Sequence, residues 1–297
     1  MNQDILHGGN AMTTTARPRK QRKVSRKLRA RTLVQILFLV LVAAISANAA
    51  LEKTGLSIPL LSTASLHAIC PFGGVVTVWQ FLTTGTFIQK IHESSLILMS
   101  AVLLLSLVFG PVFCGWVCPL GSIQEAIGKL GKRLLKKRYN HMLPERVDKV
   151  LRYARYLLMA LVIVNTAISG KLMFQTIDPY YALFNFWTNE VAIGAYIVLG
   201  ATLLLSLVVE RPWCKYACPY GALLGLTNLI RLLPIRRNPT TCISCGACDK
   251  ACPMNIRVSA SKAVRDHQCI SCLKCTSESA CPIKNTVAVT TKGGFDA

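Results

Sequence analysis

One run of residues occurs twice in this chain, a hundred positions apart: LLLSLVFGPVFCGWVCPLG from Leu103 to Gly121 and LLLSLVVERPWCKYACPYG from Leu203 to Gly221. Each copy is an apolar, helix-length segment closing on C-x3-C-P-x-G, so Cys114/Cys118 and Cys214/Cys218 sit at equivalent ends of equivalent elements. Self-similarity at a fixed spacing marks a duplicated structural unit, and what one copy does structurally the other is expected to do.

The chain is 52% hydrophobic and 16% charged over 297 residues, against about 25% charged in soluble domains, which points to a membrane protein. A net charge of +21 would suit nucleic acid, but the basic residues flank apolar spans, so no nucleic-acid partner is expected. Residues 1–32 form a basic tail, with nine Lys/Arg between Arg17 and Arg31, ahead of a first span at 33–51. Ala47-Asn48-Ala49 also fits a signal-peptidase site, and both readings put residue 51 outside. Spans at 95–113, 153–174 and 191–209 each approach the ~20 residues that a ~30 Å hydrocarbon core requires.

Orientation follows from charge. Residues 119–152 carry nine Lys/Arg, whereas 51–93 hold only Lys53 and Lys90, and basic loops stay in the cytoplasm. The apolar stretch at 72–89, following Cys70-Pro71-Phe72-Gly73-Gly74, is therefore expected to be a re-entrant or interfacial element near 70–90 on the outer side, tolerated where protein buries its backbone. Asp178-Pro179-Tyr180-Tyr181 and Trp187 make an outer loop with interfacial aromatics. The expected fold is an α-helical integral membrane protein of about four transmembrane helices with an internal repeat, the membrane domain covering 33–232. The N-terminus and a small C-terminal α+β ferredoxin-like domain at 239–290 are expected in the cytoplasm of a prokaryote, beneath its inner membrane. Pro234-Ile235-Arg236-Arg237-Asn238-Pro239 is read as the linker between them.

Thirteen cysteines at metal-ligand spacings argue against disulfides. The C-terminal runs, C242-x2-C245-x2-C248-x3-C252-P and C269-x2-C272-x2-C275-x5-C281-P, have the framework of a bacterial two-cluster ferredoxin. In that framework the fourth cysteine of each run ligates the other cluster. Cys242, Cys245, Cys248 and Cys281 are thus expected to hold one 4Fe-4S cluster, and Cys269, Cys272, Cys275 and Cys252 the second. Zinc sites of four cysteines pair two with two; here the cysteines come in threes.

The C-x3-C-P pairs are more open. On a helix, positions i and i+4 share a face, and the following proline disfavours helix at the residue before it. Three readings of Cys114, Cys118, Cys214 and Cys218 compete: an additional metal or cluster site, a redox-active dithiol or relay beside a quinone, and buried packing, since free cysteine is a small hydrophobe. Cys70 is a lone outer cysteine, a candidate redox thiol or a tight-turn residue. His67 and His92 are read as ordinary outer-side histidines.

Taken together, FCGWVCPLG (Phe113 to Gly121), WCKYACPYGAL (Trp213 to Leu223) and both cluster motifs resemble the membrane-bound ferredoxins typified by NapH and by the C-terminal half of NosR. The resemblance implies electron transfer between quinol or a cytoplasmic donor and an extracytoplasmic redox protein bearing flavin, Fe-S or haem. It also implies cluster ligation by the eight C-terminal cysteines and a functional role for the C-x3-C-P pairs. NosR-like proteins carry an outer flavin domain ahead of their spans, for which residues 51–95 are too short, so the NapH-like plan fits better. Two other readings stay open: a redox-linked assembly or metal-handling factor for a respiratory metalloenzyme, and a cluster-based membrane redox sensor.

Overall fold

The computed structural model describes residues 26–52, 93–136, 138–169, 173–186, 191–291 and 295. The tail up to residue 25, His67, Cys70, the segment near 70–90, His92 and Trp187 lie outside the described residues.

The duplicated unit begins as α2 (Glu93–Phe109) in the first copy and α7 (Ile193–Leu205) in the second. Helix α2 stops at Gly110, whose φ of +81° lies where only glycine escapes a Cβ penalty, and Pro111 cannot continue the helix. Both cysteine motifs then form π turns, Phe113–Val117 and Trp213–Ala217. The wide turn is closed by Cys118 N–H donating to the Phe113 carbonyl and Cys218 N–H to that of Trp213, both at 2.9 Å. The expected regular i, i+4 face does not form, because proline disfavours helical backbone at the residue before it. Cys118 and Cys218 instead swing out to ψ 114° and 113°. Pro119 and Pro219 then start α3 (Pro119–Leu135) and α8 (Pro219–Ile230) at the position where a missing N–H costs nothing.

The two copies interlock. Leaving α8, Leu232 and Leu233 donate to the carbonyls of Leu107 and Val108 at the end of α2. Beyond α3, Asn140 donates to the Val208 carbonyl after α7, and Gly131 of α3 has no room for a Cβ against the Leu207 backbone. The helix that follows each motif therefore packs on the other copy, which carries both π turns to one end of the bundle.

The remaining helices frame that end. Helix α1 (Arg26–Glu52) starts there: Arg31 Nε and Gln35 Nε2 donate to the Gly115 carbonyl at 3.0 and 3.2 Å. Ser46, about 22 Å along the axis at 1.5 Å per residue, bonds the Phe184 carbonyl of α6 (Pro179–Phe184) at the opposite end. Helix α4 (Glu145–Leu151) leads into α5 (Ala154–Ser169), which runs from the π-turn end to the 3-10 turn Met173–Thr176.

Among the described residues α1 is the one helix long and apolar enough to cross a membrane; Ile97–Phe109 and Ile193–Leu205 are shorter apolar helices. The spans expected at 95–113, 153–174 and 191–209 appear as helices of 17, 16 and 13 residues. In the first and third, the last apolar residues lie against the other copy, Leu107 and Val108 by hydrogen bonds from Leu232 and Leu233, and Leu207 and Val208 in a turn. Leu37, Leu104, Leu157 and Ile197 point outward, 65%, 65%, 72% and 66% exposed, so each of α1, α2, α5 and α7 presents apolar surface of the kind that lipid or a partner covers.

The C-terminal unit is a three-stranded antiparallel sheet, β1 (Ile235–Arg237) between β2 (Ala263–Val264) and β3 (Val287–Val289), with the short helix α9 (Ala247–Lys250). The stretch read as a linker is thus the central strand. Pro234 and Pro239 bracket the paired residues, where proline removes no ladder hydrogen bond.

Candidate iron-sulfur and thiol centre

In the C-terminal unit Cys269, Cys272 and Cys275 are buried, as is Cys248; Cys242, Cys252 and Cys281 are half-buried, Cys245 is exposed, and all are free thiols. Ser244, Ser271 and Leu273 take left-handed backbone, at φ 53°, 49° and 56°, as tight loops between cysteines demand. Cys252, Cys269, Cys272 and Cys275 line one cavity, with Ile235, Met254 and Ile256. The fourth cysteine of the first run therefore sits with three of the second. Cys248 and Cys281 pack into the same apolar core, and a hydrogen bond from Arg237 holds the Cys242 thiol below its usual range. Among the described residues no three His, Cys, Asp or Glu side chains are disposed for a single metal ion.

This unit seats directly on the π turns. The Gly115 Cα faces the Ile270 carbonyl and the Cys272 backbone, leaving no room for a Cβ. Trp116 Nε1 donates to the Ser271 carbonyl at 3.1 Å, Gln268 Nε2 to the Lys215 carbonyl at 3.1 Å, and Ser271 Oγ to the Phe109 carbonyl at 2.9 Å. One continuous core consequently contains Cys114, Cys214, Cys248, Cys269, Cys272 and Cys275, with Cys218, Cys252 and Cys281 packed against it.

The four thiols of the repeat converge. Burial raises the pKa of each, that of Cys118 to about 12; the charges of neighbouring thiols add to the shift at Cys114, Cys118 and Cys218, whereas at Cys214 Arg211 opposes it. Gln124 Nε2, from the first copy, points at Cys214 Sγ of the second at 3.8 Å, and Gly221 N–H donates to Cys218 Sγ at 3.3 Å.

Around these thiols lies a buried charge network that sequence reasoning missed. Glu125 on α3 accepts from Arg31 at 2.5 Å, Arg211 at 2.6 Å and Lys274 at 3.1 Å. Burial alone would raise its pKa, but Arg211, Lys274 and Arg31 outweigh burial and hold it far below the carboxylate range. Asp148 likewise accepts from Arg152, from Lys215 at 2.7 Å and from Tyr216 at 2.5 Å. The network's signal in the sequence is that Glu125 and Asp148 are two of three carboxylates among the nine Lys/Arg of residues 119–152.

Among the described residues, buried cations outnumber buried anions. Arg31, Arg152, Arg155, Arg211, Lys215 and Arg231 are buried against Glu125, Asp148 and Glu210. No ion pair to a carboxylate forms at Arg155 or Arg231 among the described residues, and the Nε–H groups of Arg155, Arg211 and Arg231 find no acceptor there. Arg231 instead points Nη1 at Cys269 Sγ at 3.9 Å. Buried charge of one sign needs a counter-charge, and an iron-sulfur cluster held by four thiolates is a net anion. The residues present therefore fit such a group.

Comparison with known proteins agrees. A 4Fe-4S binding domain model matches residues 91–138 and 191–237, the two copies of the repeat, and a second 4Fe-4S binding domain model matches 235–258. YccM of Escherichia coli is 31% identical over 223 residues, 73% of this chain and 61% of YccM. An uncharacterized protein of Methanocaldococcus jannaschii is 30% identical over 209 residues, 70% of this chain and 82% of that protein. The ferredoxin-type protein NapH of Haemophilus influenzae is 28% identical over 185 residues, 59% of this chain and 61% of NapH. The chain thus spans less than two thirds of the length of YccM and of this NapH. No solved structure matches. With NosR also among its relatives, the chain belongs to the NapH/NosR-type family of ferredoxin-type 4Fe-4S electron-transfer proteins.

Proposed function

We propose that this chain is a membrane-bound electron-transfer subunit. It moves electrons between a cytoplasmic donor or the quinone pool and an extracytoplasmic redox protein, with α1, α2, α5 and α7 crossing the bilayer and the N-terminus and ferredoxin unit in the cytoplasm. The observation that carries the reading is the seating of the Cys269–Cys275 loop on both π turns, in one core with the thiols of the repeat. The start of α1, the ends of α2 and α7 and the start of α5 all meet at this end, and an apolar face on each helix is consistent with crossing in alternate directions.

Two bound 4Fe-4S clusters would supply one-electron carriers. The chain's own residues set their surroundings: exposed Cys245 and half-buried Cys242 leave the first ligand set open to a soluble partner, while buried Cys269, Cys272 and Cys275 turn the second toward the membrane domain. In proteoliposomes, quinol or dithionite is expected to bleach the cluster absorbance; a spectrum indifferent to both would overturn the reading.

Arg231 offers a second check. Its buried guanidinium beside Cys269 and Cys275 stabilises added negative charge. Arg231→Leu is expected to lower the midpoint potential of the buried cluster by about 60 mV, the one-electron equivalent of a tenfold change. Redox titration followed by EPR should show the other midpoint unmoved.

A further inference from the structure

We propose that Cys114, Cys118, Cys214 and Cys218 jointly hold a third 4Fe-4S cluster, two ligands from each copy of the repeat, between the ferredoxin unit and the membrane helices.

Four observations lead there. The 4Fe-4S binding model matches each copy separately, yet each copy has only two cysteines, and a 4Fe-4S cube takes four. The interlocked packing resolves this by bringing the pairs together: Cys114 and Cys214 share one core with Cys218 packed against it, Gln124 of the first copy reaches Cys214 Sγ, and Arg211 of the second reaches the Cys114 carbonyl. The thiols are nevertheless not arranged for a single ion, and neither are those of the ferredoxin runs. A cube spreads its ligands around a body much larger than one ion.

The shell is built for an anion. Arg211 is fully buried, reaches the Cys114 carbonyl at 2.5 Å and leaves its Nε–H without an acceptor. It also holds a left-handed backbone at φ 54°, a conformation that a non-glycine residue keeps only when its surroundings enforce it. In the first copy the same position is Pro111. Arg155, fully buried and without a carboxylate, stands near Cys114 and Cys214. Gln124 and the Gly221 N–H point at sulfur, the contacts by which a protein tunes a cluster. Loading releases the four thiol protons as two ferrous ions, two ferric ions and four sulfides enter, which gives the cube at its 2+ oxidation level with no separate oxidant.

The inference rests on the electron-transfer reading but is tested separately from it. Full-length protein, purified anaerobically in detergent and reconstituted with equal ferrous and ferric iron and sulfide, is assayed for iron, acid-labile sulfide, zinc and copper, alongside Cys114→Ser/Cys118→Ser and Cys214→Ser/Cys218→Ser. The expected result is about twelve irons per wild-type chain, three cubes of four. Either double variant is expected to fall to about eight, with the EPR signals of the two ferredoxin clusters retained as evidence of folding. A shared site loses all four irons whichever copy is changed. About eight irons in the wild type, or one zinc or copper that tracks the four cysteines, overturns the proposal. The wild-type count decides even if a variant does not fold. Failure of quinol-linked reduction with twelve irons present would count against the proposed function alone.

Discussion

Replacing Glu125 by alanine is expected to destabilise the folded chain by about 3–5 kcal/mol, the range for removing one partner of a buried ion pair. Arg31, Arg211 and Lys274 all rely on this carboxylate, and Arg31 and Arg211 are too buried to recover water. Denaturant unfolding in detergent, followed by the cluster absorbance, measures the loss. The contrast is Glu145→Ala, whose partner Arg257 lies in solvent, the pair being 66% and 71% exposed; no measurable change is expected there. Equal effects at the two sites would dismiss the buried network as a determinant of stability.

The pH dependence has a definite sign. Folding depresses the Glu125 pKa, so its contribution is complete above the unfolded-state pKa near 4.5 and is lost as pH falls from there toward the folded value. Between pH 6 and pH 8 the difference between wild type and Glu125→Gln should therefore stay flat, narrowing only in acid.

Gly115→Val is the second large expected effect. A Cβ here meets the Ile270 carbonyl oxygen, with the Cys272 backbone just behind it, so nothing flexible can give way. The strain, about 1–3 kcal/mol for overpacking, is relieved by lifting the ferredoxin unit off the first π turn. That energy corresponds to roughly a 5- to 150-fold loss of the seated form. Both ferredoxin clusters should still assemble, protease sensitivity of residues 235–291 should rise, and cluster reduction by quinol should slow in proportion. Gly200→Val is the control, since a Cβ there meets nothing within 4 Å. Unchanged reduction in Gly115→Val would separate the contact from the electron route.

The family and its iron-sulfur electron-transfer character were legible in the chain because they reside in local spacing. C-x2-C-x2-C-x3-C-P and C-x3-C-P are short-range patterns set by what a cluster or a turn requires. Boundaries were less legible. Prolines 234 and 239 mark a break in composition, yet Ile235–Arg237 forms the central strand between them, because what matters to a sheet is which residue loses its N–H. The apolar runs likewise outlast their helices, since the turn residues Leu207 and Val208 lie against the other copy.

By itself, then, the sequence determined the duplication, the cysteine frameworks and the apolar character of the helices, all properties of neighbours along the chain. Only the tertiary structure decided that the two copies exchange their post-motif helices, that Cys114 and Cys214, a hundred residues apart, enter one core with the ferredoxin cysteines, and that Glu125 balances three cations. Those outcomes depend on long-range packing and on burial. Burial turns a scattered surplus of arginine into a charge that the fold must answer, and no spacing rule along the chain records it.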